Sequence, residues 1–473
     1  MTIKQLSKPG LLAFSAAALL ALGGCSNENS DASLRVIHAS PDAPAVNLKL
    51  DNINRITDLD YAESSGFISI PSGVQDIDVE AIIPGGNADV ISIDNFTFAE
   101  ASRNTIIALN NTADIEALVV DESASLPAST EIAVAVVHAS PDAPAVDVYV
   151  TQPGAIIDSI NASFSFDFGE QVDAGAIPAT SYQIRVTPAG TKNVVFDSGP
   201  VDLSGFAGQK LVLAAISTTN STSQAASDIK LLAVTDSASL VLLDEATNTG
   251  ARVVHASPDA DLVAAGPVEV FATSSALTIS PTELIPAFSY TDIVPGADSF
   301  VGVPAGDYEF AVAVDGDGIG AAVYTSPVLG LAQGTEYTVI AAGYVGTTPA
   351  FELLATEDNN RSVVTQASVK VIHAAPVAGP VDVFVTAAGD FSASDVENGL
   401  AGAPLLDDFE FGAITDYVAV APGDYDIRVV AGGSAAINVE NFNLAAGSVS
   451  TLIARQPNAT GTPNDFNVIV LTN

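Results

Sequence analysis

The sequence predicts an all-β chain of four tandem immunoglobulin-like β-sandwich domains behind an N-terminal export segment. Three observations carry that expectation. Apolar residues, mostly Ala, Val, Ile and Leu, come in short runs bounded by Gly, Pro, Asp and Asn, the pattern of strands closed by turns. One heptapeptide recurs four times at spacings that suit a whole small domain. After each copy stands a five-residue stretch that alternates apolar and polar, as a strand with one buried face does.

The recurring segment holds every histidine of the chain: Val36-Ile37-His38-Ala39-Ser40-Pro41-Asp42, Val136-Val137-His138-Ala139-Ser140-Pro141-Asp142, Val253-Val254-His255-Ala256-Ser257-Pro258-Asp259 and Val371-Ile372-His373-Ala374-Ala375-Pro376-Val377. The histidines lie 100, 117 and 118 residues apart, too far for a propeller blade or a solenoid coil. The alternating strands that follow are Val46–Leu50, Val146–Val150, Val268–Ala272 and Val381–Val385, each with one aliphatic face. Mid-repeat turns read Pro71-Ser72-Gly73, Pro178-Ala179-Thr180-Ser181-Tyr182, Pro304-Ala305-Gly306-Asp307-Tyr308 and Pro422-Gly423-Asp424-Tyr425, where proline presets one turn dihedral. Later strands are expected at Thr105–Leu109, Leu211–Ile216, Tyr337–Ala342 and Thr451–Ala454. Each unit closes on Ile115–Val120, Ile229–Val234, Phe351–Ala355 or Phe466–Leu471.

These runs divide the chain into a signal segment (1–24), a polar tether (25–33) and sandwiches at 34–121, 133–244, 251–357 and 369–473. A chain of 473 residues exceeds what one core can serve, so several domains are expected. With 48% hydrophobic and 15% charged residues it is not a disordered protein. The net charge of −41 repels phosphate and excludes nucleic acid as a partner. Such a surface keeps the chain soluble and recruits divalent cations weakly.

Lys4 and Lys8, the apolar stretch Leu11–Leu22 and the small residues before Cys25 form the n-region, h-region and cleavage site of an export signal. The stretch is too short to span a bilayer comfortably. Leu22-Gly23-Gly24-Cys25 resembles the bacterial lipobox of a lipoprotein signal peptide, which implies acylation of Cys25, the only cysteine. Two or three acyl chains would anchor the protein stably. Ser26 resembles the outer-membrane default and departs from the Asp of inner-membrane retention.

The openings, above all His138-Ala139-Ser140-Pro141-Asp142-Ala143-Pro144-Ala145-Val146-Asp147-Val148-Tyr149-Val150, resemble the bacterial family catalogued as domain of unknown function number 4397. The resemblance covers nearly all of the mature chain. It implies a fold and an extracytoplasmic setting, without an activity. The third copy departs by an insertion through Asp261–Gly266, and the fourth has Ala375 and Val377 in place of Ser and Asp.

Candidate chemistry centres on His38, Asp42, His138, Asp142, His255, Asp259 and His373, since imidazole and carboxylate can bind metal or move protons. Strand phase points instead to scaffold. Val36 and His38 share the core side, and Arg35, Ala135, Arg252 and Lys370 point the other way. A histidine at the strand end can satisfy backbone groups of the following loop, with the Asp closing an Asx-type turn. Asp315-Gly316-Asp317-Gly318 resembles part of a calcium loop but lacks its downstream bidentate Glu, so a hairpin turn is expected. Tyr149, Phe271 and Phe384 lie on the polar side of their strands, either as a contact surface or as cross-strand packing at a domain junction.

Hydrolase, zincin and phosphate-loop signatures are absent, and each domain has a single histidine. The expected protein is therefore a noncatalytic, cofactor-free lipoprotein anchored by lipid to the cell envelope, at the outer membrane. Its repeats would serve as a spacer or as an array that binds a protein or extracellular ligand. The alternatives are a divalent-cation-dependent binding module and, least favoured, a secreted hydrolase with a carboxylate pair.

Overall fold

The computed structural model describes residues 31–219, 224–236, 238–459, 461 and 465–473. Almost every element is a β-strand, and the strands form eight sheets, two in each of four successive sandwiches. The first sheet of every sandwich contains the histidine strand: Ala32–His38, Glu131–His138, Thr249–His255 or Ala367–His373. Each pairs in parallel with a later strand, Arg103–Leu109, Lys210–Ser217, Glu336–Ala342 or Val449–Arg455. The second sheet holds the alternating strand, antiparallel to its neighbours. Ala32 and Ser33 already belong to the first strand, so the ordered domain begins inside the stretch expected as tether.

Each core lies between the two sheets. In the first sandwich Leu34, Val36 and Ile106 from one sheet meet Val46, Leu48, Ile77 and Val79 from the other. The second repeats this with Val134, Val136 and Leu213 against Val146, Val148, Ile184 and Val186. Full burial of one such aliphatic side chain contributes about 1.5–3 kcal/mol. The mid-repeat turns are pinned by their own last residue. Tyr182 Oη donates to the Pro178 carbonyl (2.9 Å), Tyr308 to Pro304 (2.7 Å) and Tyr425 to Ala421 (2.7 Å), each four residues upstream. In the first copy Gln75 Nε2 makes the same bond to Pro71 (2.5 Å). The three tyrosines form tyrosine corners, which sandwich folds use to fix a corner between sheets, and Gln75 takes that place in the first copy.

The opposite face of the histidine sheet is also covered. Ile37, Ala39, Ile107 and Leu109 of the first sandwich share one apolar cluster with Val137, Val212, Ala214, Ile216, Leu232 and Val234 of the second. Val254, Ile340 and Ala342 of the third meet Ile372, Ile453 and Leu471 of the fourth in the same way. The chain is thus organised as two face-to-face pairs.

Arg35, Arg252 and Lys370 were expected to look away from the core, and they do. They do not reach solvent, because the neighbouring sandwich closes over them. Arg35 donates to Thr105 Oγ1 (3.0 Å), to the Thr235 carbonyl of the second sandwich (2.8 Å) and to Glu122 (2.5 Å). Its pair with Glu122 is buried on both sides. Arg35→Ala would strand that carboxylate in the interface and should cost about 3–5 kcal/mol in chemical denaturation. Replacing Arg35 by Met together with Glu122 by Leu should recover most of the loss; a single variant as stable as the parent would contradict this picture.

Candidate functional site

The histidine strand ends where two strands stop side by side, so the loop after it lies against the loop leaving its parallel partner. His38 is fully buried there. Its Nε2–H donates to the Pro44 carbonyl (2.9 Å), and Nδ1 accepts from the Ser40 amide (3.3 Å). His138 bonds Pro144 and Ser140 (3.1 and 3.4 Å), and His373 bonds Gly379 and Ala375 (2.8 and 3.2 Å). A carbonyl can only accept and an amide N–H can only donate. The three rings are therefore neutral, Nε2-protonated braces with both nitrogens committed. Aromatic rings close around them: Tyr61 edge-on beside His38, Phe166 and Phe168 edge-on beside His138, and Phe409 stacked, with Phe411 edge-on, beside His373.

The third copy differs. Its insertion folds as a short helix, Ala260–Ala264, and places the Asp261 carboxylate 3.2 Å from His255 Nε2, an ion-pair distance. Nδ1 of His255 has no hydrogen-bond partner among the described residues.

The motif aspartates do not close a local turn. Asp42 accepts from the Thr112 amide (2.7 Å) and hydroxyl (2.8 Å), and Asp259 from the Val345 amide (3.0 Å). Both reach across to the loop leaving the parallel strand, because parallel pairing brings those two loop origins together. Asp142 is exposed. In the fourth copy the direction reverses, and the Val377 amide donates to Gln456 Oε1 (2.8 Å). The serine is as variable. Ser140 Oγ meets Ser217 Oγ (2.8 Å), Ser257 donates to Gly343 (2.8 Å), and Ser40 Oγ is buried without a partner among the described residues.

Tyr149, Phe271 and Phe384 are buried within their own sandwiches and form no contact surface. Tyr149 lies under the Lys192 ammonium, Phe271 against Ala311 and Ala313, and Phe384 against Val396 and Val430. The Asp315–Gly318 loop is a hairpin turn whose Gly316 and Gly318 amides donate to the Glu269 carboxylate (3.3 and 2.6 Å). Among the described residues no group of three or more His, Cys, Asp or Glu is placed to hold a metal ion. Cys25 lies outside the described residues. The interface cations Arg35 and Arg252 were missed as functional parts. The unbroken apolar run around them, Leu34 to Ala39, was a usable sign of a strand buried on both faces.

Paired sandwiches, three of them braced by a fully bonded histidine, define a modular β-sandwich protein. The chain belongs to the family described as domain of unknown function (DUF4397), whose model matches residues 32–149, 249–384 and 383–473. No curated protein matches the chain. Among solved structures, a putative cell adhesion protein from Bacteroides ovatus is 12% identical, with 49% of this chain and 97% of that one covered and a TM-score of 0.18. One from Bacteroides eggerthii is 10% identical, covering 50% and 98%, with a TM-score of 0.20. The Bacillus anthracis TIE protein is 11% identical, covering 87% of this chain and 65% of that one, with a TM-score of 0.16. TM-scores of this size carry no argument about function.

Burial makes the His38 ring hard to charge and lowers its pKa from 6.5 to about 4; His138 and His373 shift the same way for the same reason. Between those two values the unfolded chain binds a proton that the folded chain refuses. The stabilisation from neutral His38 is complete above pH 6.5 and is lost as pH falls toward 4, on the order of 3 kcal/mol. A His38→Gln variant should be less stable at pH 7 and show a flatter fall in stability across that window. An unchanged slope would mean that the imidazole titrates freely.

Proposed function

We propose that the chain is a noncatalytic cell-envelope lipoprotein, held at the outer membrane through acylated Cys25, whose paired sandwiches act as a stiff spacer and present an acidic surface to a protein or extracellular ligand. The observation that carries this reading is the burial of the outer sheet faces in pairs, Ile37 and Ile107 against Leu232 and Val234, and Val254 and Ile340 against Ile453 and Leu471. Flexible beads would keep those faces polar. Stiffness between domains is what a spacer needs and what catalysis by a single domain does not.

The two pairs are also tied to each other. Arg361, in the segment between the third and fourth sandwiches, donates to the Ala43 carbonyl of the first (2.6 Å) and pairs with Asp60, and the Val364 amide donates to the Asp42 main-chain carbonyl (3.1 Å). Three histidines with both nitrogens engaged support a scaffold role over proton transfer. The cation-dependent alternative loses its best loop, because the backbone of Asp315–Gly318 is already organised around Glu269.

In a Gram-negative host, wild-type protein should incorporate a palmitate analogue and fractionate with outer membrane, whereas Cys25→Ser should do neither; an unlabelled wild-type protein sinks the anchor. Ile37→Asp puts an unpaired carboxylate into the first interface. It should raise the radius of gyration by X-ray scattering while leaving the β circular-dichroism signal in place. A parent that already scatters as independent beads would refute the stiff spacer. Millimolar calcium should leave the melting midpoint unmoved, since a ligand of the native state would raise it.

A further inference from the structure

The third sandwich is hollow where the second is filled. Between its sheets lies an apolar cavity of about 160 Å³, lined by Ala251, Val253, Val270, Phe288, Val312 and Val339 among others, with His255 at one end. The corresponding space in the second sandwich, at His138, is about 20 Å³. Sequence explains part of the difference. Ala251 stands on the core face where the other copies carry Leu34, Val134 and Val369. The core also divides, one apolar cluster around Tyr308, Phe310 and Tyr337 and another around Val268, Ile285 and Phe288. Ala251 and Val253, on a central strand, retain solvent exposure, whereas Leu34 and Val36 have almost none. That residual accessible area is the wall of the cavity, and packed interiors rarely keep a void of this size.

A second observation points to an occupant. His255 is buried and lines the cavity; its Nε2 faces the Asp261 carboxylate at 3.2 Å, and its Nδ1 has no hydrogen-bond partner among the described residues. The same ring is fully bonded in the other three copies. The other polar side chains of the wall are already committed, Tyr308 Oη donating to Pro304 and Tyr337 Oη accepting from the Ala332 amide (3.2 Å). Buried polar groups are normally satisfied, so Nδ1 of this ring is a place for a ligand hydroxyl.

We propose that the third sandwich binds a small neutral amphiphile, one aromatic ring or about six carbons of chain bearing a hydroxyl, with the hydroxyl on His255 and the apolar part between the sheets. An engineered cavity of roughly 150 Å³ in another protein accepts benzene, which sets the ligand size. The apolar walls disfavour any charged ligand, and the adjacent Asp261 carboxylate repels an anion. This site stands apart from the spacer reading, and either can fail without the other.

The test is fluorine NMR titration of the full mature chain with 4-fluorophenol and with fluorobenzene. One saturable site for both is expected. Ala251→Leu, which restores the residue of the first copy, should weaken both probes at least tenfold and raise the melting midpoint. His255→Leu should weaken 4-fluorophenol about tenfold and leave fluorobenzene unchanged. Should Ala251→Leu fail to fold, Val253→Ile fills the same space. No saturable site, or binding indifferent to the filling variant, overturns the proposal; equal loss of both probes in His255→Leu overturns the role of the imidazole.

Discussion

The structure depends on one constraint: the parallel pair at the centre of each histidine sheet is buried on both sides, by its own core on one face and by another sandwich on the other. A strand in that position has no solvent face on which to place charge. Backbone groups are served by the ladder, and the few cations that remain must bring their counter-charges with them. Arg35 does so through Thr105 and Glu122, and Arg252 through Thr338 with Asp358 at 3.5 Å. The neutral histidine belongs to the same logic. At the buried end of the strand a charged ring would have no compensation, whereas a neutral ring can donate to one loop carbonyl and accept from one loop amide.

Much of the fold was legible because the alternating strands and the turns speak locally. The closing strand expected at Ile229–Val234 has those bounds, and the others differ by a residue or a few at each end. The phase that put Val36 and His38 on the core side follows from period two alone and is the observed one. The aspartates were less legible. A local Asx turn is the default for Asp after a strand, but parallel pairing sets a partner seventy residues away at hydrogen-bonding distance, as Asp42 and Thr112 demonstrate. No local pattern encodes that proximity.

The two faces of Tyr149 and its equivalents failed for a related reason. Alternation says only which side of a sheet a residue occupies. It does not say that Lys192, or the helix containing Val396, folds back to cover that side. The hollow of the third sandwich was similarly out of reach, since Ala251 on its own is an ordinary core residue and becomes informative only against Leu34, Val134 and Val369 in the same place. The insertion through Asp261–Gly266 was visible, but its consequence, an imidazole released from its loop, required the geometry.

Four copies of a sequence are not four equivalent units. Arg35 donates to the Thr235 carbonyl just after the closing strand of the second sandwich; Arg252 reaches Thr472 and Asn473 at the matching place in the fourth. Tyr61 Oη donates to Ser217 (2.5 Å), and Tyr290 Oη to Gln456 (2.6 Å), residues that occupy the same register two positions beyond the partner of the histidine. The first and third sandwiches thus supply the arginine and the tyrosine, and the second and fourth supply the carbonyls that receive them. An isolated first or third copy would expose an apolar sheet face with a buried-type arginine in its middle, a surface that monomeric proteins avoid. The physical repeat is therefore the pair, with unlike halves, and selection on one half is selection on a surface built by both. That division explains how the third copy can lose its histidine brace and open its core while the face it shares with the fourth remains closed.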